Sequence, residues 1–203
     1  MTISSVRDFV ERATACILNT LLMLRVAAVI QAHPEDWPNA FVCFGEVLIL
    51  VFLLIRRPTQ NMSVKPSEWA LAYVASYGPT LVVPGGAPLA PDWAVTLLFL
   101  IAIGLQVAAK LSLGRSFGIV PANRRVVTSG FYRCVRHPIY ATYLLGHIAF
   151  LLLNPTLWNA TIYAGVWSLQ LLRISSEERF LSRDPAYRVY RDFVRYRLIP
   201  GVY

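Results

Sequence analysis

Apolar residues in this chain fall into six blocks separated by short polar or charged stretches. The blocks are 13–31, 41–55, 69–83, 92–111, 139–153 and 156–172. A membrane span needs about 20 such residues, and fewer when the helix is packed inside a bundle. The fifth block stops at Asn154-Pro155 and the sixth follows at once. Proline ends one helix and can begin the next, so this junction predicts a tight helical hairpin. The pattern predicts an all-α fold: a polytopic membrane helix bundle of about six spans with a C-terminal helical hairpin.

The placement of charge orients the bundle. The stretches 1–12, 56–68, 110–138 and 173–203 hold two, three, six and seven Lys or Arg residues, 18 of the 19 in the chain. The alternating loops 32–40 and 84–91 hold none, and Glu35 and Asp36 lie in the first of them. Six spans place both termini and every basic stretch on one side, in line with the positive-inside rule. Five or seven spans would scatter the charges. The expected location is an integral, multi-pass membrane setting with its basic face in the cytosol. The short loops and compact length favour a bacterial inner membrane over an endoplasmic reticulum.

Composition narrows the classes further. Of 203 residues 56% are hydrophobic and only 15% are charged, with a mean hydropathy of +0.52. Soluble domains carry about 25% charge. A disordered chain, a basic nucleic-acid-binding domain and a secreted disulfide scaffold are thereby excluded. The net charge of +8 reports topology rather than nucleic acid. Cys16, Cys43 and Cys134 are odd in number and share no metal-ligand spacing, so neither a zinc site nor a disulfide framework is expected. The first apolar run follows Arg7, Asp8, Glu11 and Arg12, with no small-residue cleavage site before it reaches spanning length. Arg25 and Glu46 fall inside the first two spans. Their pairing would be the cheaper state, either as a structural lock or as a polar lining of a substrate path.

Titratable side chains concentrate after residue 110. This divides the chain into N-terminal transmembrane helices, 1–109, and a catalytic core with the hairpin and a cytosolic tail, 110–203. One constellation is 124–140, RRVVTSGFYRCVRHPIY. Thr128-Ser129-Gly130 is turn chemistry, and Pro138 suits the first position of a helix, where its missing N–H costs nothing. A second is 173–190, RISSEERFLSRDPAYRVY, in which Arg173 and Glu177 share a helix face at i,i+4. The hairpin carries the chain outward from His137 and back to Arg173. It should therefore unite Arg136, His137, Tyr140, Arg173, Glu177 and Glu178 at one membrane face. His147, one-third into the fifth span, reads as a packed polar residue. No GxGxxG fingerprint follows a strand, so any cofactor pocket must be built from helices and their connections.

These residues carry a resemblance. Gly130, Tyr132, Arg136, His137, Pro138 and Tyr140, then the hydrophobic hairpin, then Arg173, Glu177, Glu178 and Leu181, then Tyr187 and Tyr190, resemble the isoprenylcysteine carboxyl methyltransferase family. The likeness covers about residues 110–200. Phospholipid N-methyltransferases and some sterol reductases have similar C-terminal cores. The resemblance implies that S-adenosylmethionine is held by Arg124, Arg125, Val126 and Val127, by Tyr132, by His137, Pro138, Ile139 and Tyr140, and by Glu177. It implies that Arg173 holds the substrate carboxylate. Arg125-Val126-Val127 stands where members acting on prenylated proteins often have His-Leu-Val.

The function so implied is methylation of the carboxylate of an isoprenylated cysteine or a related lipidic acceptor. The expected partners are that lipophilic substrate and membrane lipid, with no nucleic acid and no metal; the oligomeric state is left open. An ionised carboxylate needs no base, whereas an amine does. Glu178 or His137 could serve as that base, which keeps a phospholipid or lipophilic-amine N-methyltransferase open. A nicotinamide-dependent membrane reductase and a non-catalytic scaffold are the remaining alternatives.

Overall fold

A computed structural model describes residues 3–32, 40–59 and 61–203, excepting the side chains of residues 3–4 and 40–46. Glu35 and Asp36, and the side chains of Cys43 and Glu46, lie outside the described set. The described residues form seven α-helices: α1 Ile3–Ala32, α2 Ala40–Ile55, α3 Pro66–Tyr77, α4 Asp92–Leu113, α5 Pro138–Leu153, α6 Leu157–Leu181 and α7 Pro185–Phe193. Among them there is no strand, and one isolated antiparallel bridge joins Met62 to Ala122. Ser5–Ala32 and Asp92–Ser116 are long and apolar enough to cross a membrane, while α5 is apolar but shorter.

The helices track the six apolar blocks with two instructive differences. The third block breaks early, because Pro79 lacks an N–H and the chain passes into a 3₁₀ turn at Gly78–Leu81. The sixth block continues as helix well past Arg173, to Leu181. Both glutamates are therefore helical, about 100° apart around one axis. Residue 110, the expected domain boundary, falls within α4. Pro138 is the first residue of α5, with His137 at the N-cap. Asp184 caps α7 by accepting from the Ala186 N–H at 2.8 Å.

A three-residue connection makes the α5–α6 hairpin, and the opposite loop pins it. The Asn154 side chain accepts from the Gly85 N–H at 2.9 Å. The Asn159 carboxamide accepts from Val83 N–H at 3.0 Å and donates to the carbonyls of Val83 and Asn154. The Pro/Gly-rich stretch after α3 thus holds the hairpin turn. The two arms scarcely touch one another; α5 packs along α4 and α6 along α3. The hairpin is splayed, and the space between its arms is the cavity described below.

The starts of α1 and α5 and the ends of α2, α4 and α6 share one end of the bundle, here termed the basic end. A buried ion network braces it. The Arg56 guanidinium contacts Glu11 at 2.7 Å and Asp8 at 3.1 Å, and Arg124 contacts each of them at 3.2 Å. The other Glu11 oxygen accepts from the Ile119 and Val120 N–H groups at 2.8 and 3.0 Å. Arg25, expected to pair with Glu46, donates to the Thr80 carbonyl.

Candidate active site at the splayed hairpin

His137 enters α5 where α6 is leaving, so the two motifs of the hairpin meet. Glu178 lies between three bases: Arg136 donates to its Oε1 at 2.6 Å, and His137 Nε2 lies 3.1 Å from the same atom. Arg197 donates to Oε2 at 3.0 Å through Nε, and its Nη2 lies 2.9 Å from the same atom. The tail segment also closes over Arg136, whose Nη1 donates to the Val194 and Arg195 carbonyls at 2.7 and 2.9 Å. Backbone N–H groups of Arg136 and His137 donate to Tyr196 and Arg197. Glu178 stands beyond the predicted sixth span. Burial works to raise its pKa, but the hydrogen bonds and charges of His137 and Arg136 prevail and lower it to about 2.

Glu177 turns the other way. Its Oε2 accepts from the Tyr140 hydroxyl at 2.9 Å. The guanidinium of Arg173 lies 5.1 Å from the centre of the Tyr140 ring. Arg173 and Glu177 share a helix face as expected, but they make no ion pair; each addresses Tyr140 instead. Arg173 is buried and donates to Ser76 Oγ at 2.9 Å and to the Ile119 carbonyl at 2.6 Å. Its Nε is buried and without a partner among the described residues.

A cavity with about 1880 Å³ of space unfilled by protein atoms, partly open to solvent, runs from these groups into the bundle. It is lined by Arg124, Arg125, Val126, Val127, Tyr132, His137, Ile139, Tyr140, Arg173 and Glu177. Of the residues implied to hold cofactor or acceptor or to serve as a base, Pro138 and Glu178 stand outside this lining. Arg124 reaches it with its side chain already engaged by Asp8, Glu11 and the Arg57 carbonyl. Burial lowers its pKa, and the Glu11 carboxylate opposes that shift.

At the basic end Tyr132, Tyr187, Tyr190 and Val194 form a buried cluster with Val126 and Val127 against it. Tyr190 donates to the Tyr132 carbonyl at 2.8 Å. The Tyr187 hydroxyl is buried without a partner among the described residues. Burial raises the Tyr132 pKa well above its ordinary value, and the Glu177 charge adds to the shift. Gly130 makes the preceding turn possible. Its φ is +60°, and a Cβ there would lie 2.2 Å from Ser112 Oγ.

Asp8, Glu11, Arg56 and Arg197 are charged neighbours of the site that sequence reasoning missed. The available signal was the i,i+3 spacing of Asp8 and Glu11, which places two carboxylates on one face at the start of an apolar helix. Arg197 carried no signal beyond being one of many tail arginines.

The described residues thus form an all-helical bundle with a pocket bordered by polar groups at one end of an apolar hairpin. Residues 94–183 match the family model of the Isoprenylcysteine carboxyl methyltransferase (ICMT) family, which supports the resemblance carried by the motifs. The match supports membrane methyltransferase activity. A search of curated proteins finds no match.

Proposed function

We propose that the protein is an integral-membrane methyltransferase that uses S-adenosylmethionine to methylate a lipidic carboxylate, that of an isoprenylated cysteine or a close analogue. The observation that carries this reading is the division of labour between the two glutamates. Glu178 is held by three bases, which leaves Glu177 on the cavity wall beside the Tyr140 hydroxyl.

The residues present fit the cofactor. The N–H groups of Arg125, Val126 and Val127 make no backbone hydrogen bond to the described residues, and all three residues border the cavity. They would hold the amino-acid or adenine edges. Glu177 would accept from amino or hydroxyl groups. The tyrosine cluster supplies aromatic faces for a cation, and the unpartnered Tyr187 hydroxyl supplies a donor. When bound, S-adenosylmethionine supplies an electrophilic methyl group.

The chain's own part is placement. Arg173 would grip the acceptor carboxylate through its free Nε edge, since its terminal nitrogens already donate to Ser76 and Ile119. Such a grip aligns the attacking oxygen, and alignment lowers a barrier by several kcal/mol. No general base is required, because an α-carboxyl is ionised at neutral pH. The low pKa of Glu178 argues the same way: a carboxylate that gains its proton at about pH 2 is a poor base for an ammonium. We assign Glu178 a positioning role, holding the start of α5 and the tail around the pocket. Six spans with the basic end in the cytosol would let the cofactor arrive from water and the acceptor from lipid.

The test is incubation of the purified protein with methyl-labelled S-adenosylmethionine and membrane lipid. A base-labile labelled ester is expected. Base-stable label would indicate N-methylation. Glu177→Ala should abolish cofactor binding, and Arg173→Ala should spare it while weakening acceptor turnover. Unchanged cofactor binding in Glu177→Ala would overturn the assignment.

A further inference from the structure

The cavity does not become uniformly apolar away from the basic end. Polar side chains border it partway in, among them Asn19 on α1, Gln106 on α4 and His147 on α5. Gln106 precedes the end of α4 at Leu113 by seven residues, and His147 follows the start of α5 at Pro138 by nine. Asn19 follows Glu11, the anchor at the basic end, by eight. At 1.5 Å per residue all three lie about 10–14 Å along the bundle from that end. Three helices thus present polar groups at one level.

These groups have hydrogen-bonding capacity to give. Asn19 is fully buried, and its amide nitrogen donates to the Ala15 carbonyl at 2.7 Å and Tyr77 at 2.8 Å. Its Oδ1 is buried with no partner among the described residues. Gln106 is 8% exposed, and its carboxamide makes no hydrogen bond to the described residues. His147 Nδ1 accepts from the Trp167 indole N–H at 3.1 Å. In the neutral ring that leaves the proton on Nε2, a donor, to which no described residue is bonded. A bare hydrocarbon tail would leave every one of these groups unsatisfied, and buried polar groups without partners are disfavoured.

The geometry points to a polar subsite that reads a hydroxyl carried partway along the lipid chain of the acceptor. A hydroxyl matches Gln106 and His147, which stand on the packed helices α4 and α5, since it can donate to the Gln106 carboxamide oxygen and accept from His147 Nε2–H. The acceptor class is then a hydroxylated lipid carboxylate rather than a plain isoprenoid. This inference rests on the proposed methyltransferase reading for the position of the carboxylate end.

The experiment uses the purified full chain in lipid nanodiscs. The probes are N-acetyl-S-hexadecyl-cysteine and its counterpart with one mid-chain hydroxyl. Equilibrium binding should favour the hydroxylated probe by about tenfold or more, as a site built to pair a hydroxyl rejects the analogue lacking it. Gln106→Leu removes no bond to a described residue, and His147→Phe keeps an aromatic ring against Tyr163. Each should bring the ratio towards unity while S-adenosylmethionine binding is unchanged. Equal binding of the two probes by the wild type, binding of neither, or a preference that persists in both variants overturns the subsite. A wild type that keeps the preference but binds no S-adenosylmethionine overturns the methyltransferase reading and leaves the subsite standing.

Discussion

Two buried ion clusters brace the same end of the bundle, and they are built differently. The first sets two carboxylates, Asp8 and Glu11, against Arg56 and Arg124, and ties α1 and the end of α2 to the 119–124 segment. The second sets one carboxylate, Glu178, against Arg136, His137 and Arg197, and ties α5 and α6 to the C-terminal tail. In the first, charges are shared among several partners and backbone N–H groups. In the second, a single acid holds every base. The contrast indicates where the structure is vulnerable. It also separates two neighbouring charges: the first cluster engages Arg124, and the second leaves Glu177 outside it, on the cavity wall beside the Tyr140 hydroxyl.

The largest effect should follow loss of the single acid. Glu178→Ala leaves Arg136 and part of Arg197 as uncompensated charge, and breaking a buried pair costs about 3–5 kcal/mol. Thermal unfolding in detergent should show a sharply lower midpoint. Glu11→Gln should cost less, about 2–3 kcal/mol, because Asp8 still faces both arginines and the amide oxygen can still accept from Ile119 and Val120. Equal losses in the two variants would break the distinction between shared and concentrated charge.

Acid should release the second cluster by the same logic. The folded-state pKa of Glu178 is depressed from 4.5 to about 2. Its stabilisation is therefore complete above pH 4.5 and lost as pH falls through about 2. Hydrogen exchange of the tail N–H groups, such as those of Arg197 and Leu198, should rise across that window. Protection of the tail that persists below pH 2 would contradict the clamp.

The smallest effects belong to the cavity wall. Glu177→Gln should leave the unfolding midpoint nearly unchanged yet weaken S-adenosylmethionine binding by about 1.5–3 kcal/mol, the worth of a hydrogen bond to a charged group. Tyr140→Phe removes only one donor to Glu177 and should cost about 0.5–1.5 kcal/mol of cofactor affinity. Calorimetric titration distinguishes the two.

Much of this architecture is legible along the chain. Apolar runs, prolines and basic stretches are local signals, and they mark the helices, the hairpin turn and the end where polar groups collect. Pro138 opens α5 as its place in the sequence predicts. The family signature is local too, a set of short motifs joined by a hairpin of limited length.

Other features were decided by packing. Glu177 and Glu178 are adjacent and chemically alike, and only their azimuth on α6 assigns one to the cavity and the other to three bases. Arg124 sits in the stretch implied to hold the cofactor, but its charge is claimed by acids more than a hundred residues earlier. The splay of α5 and α6 depends on what each finds to pack against, α4 and α3 respectively. Sequence by itself determined which segments are helical and which end of the bundle carries charge, because those depend on neighbours within a few turns. Tertiary structure alone decided which side chains remain free to act, because a buried charge is satisfied by whatever partner the fold brings within about 3 Å, however distant in the chain.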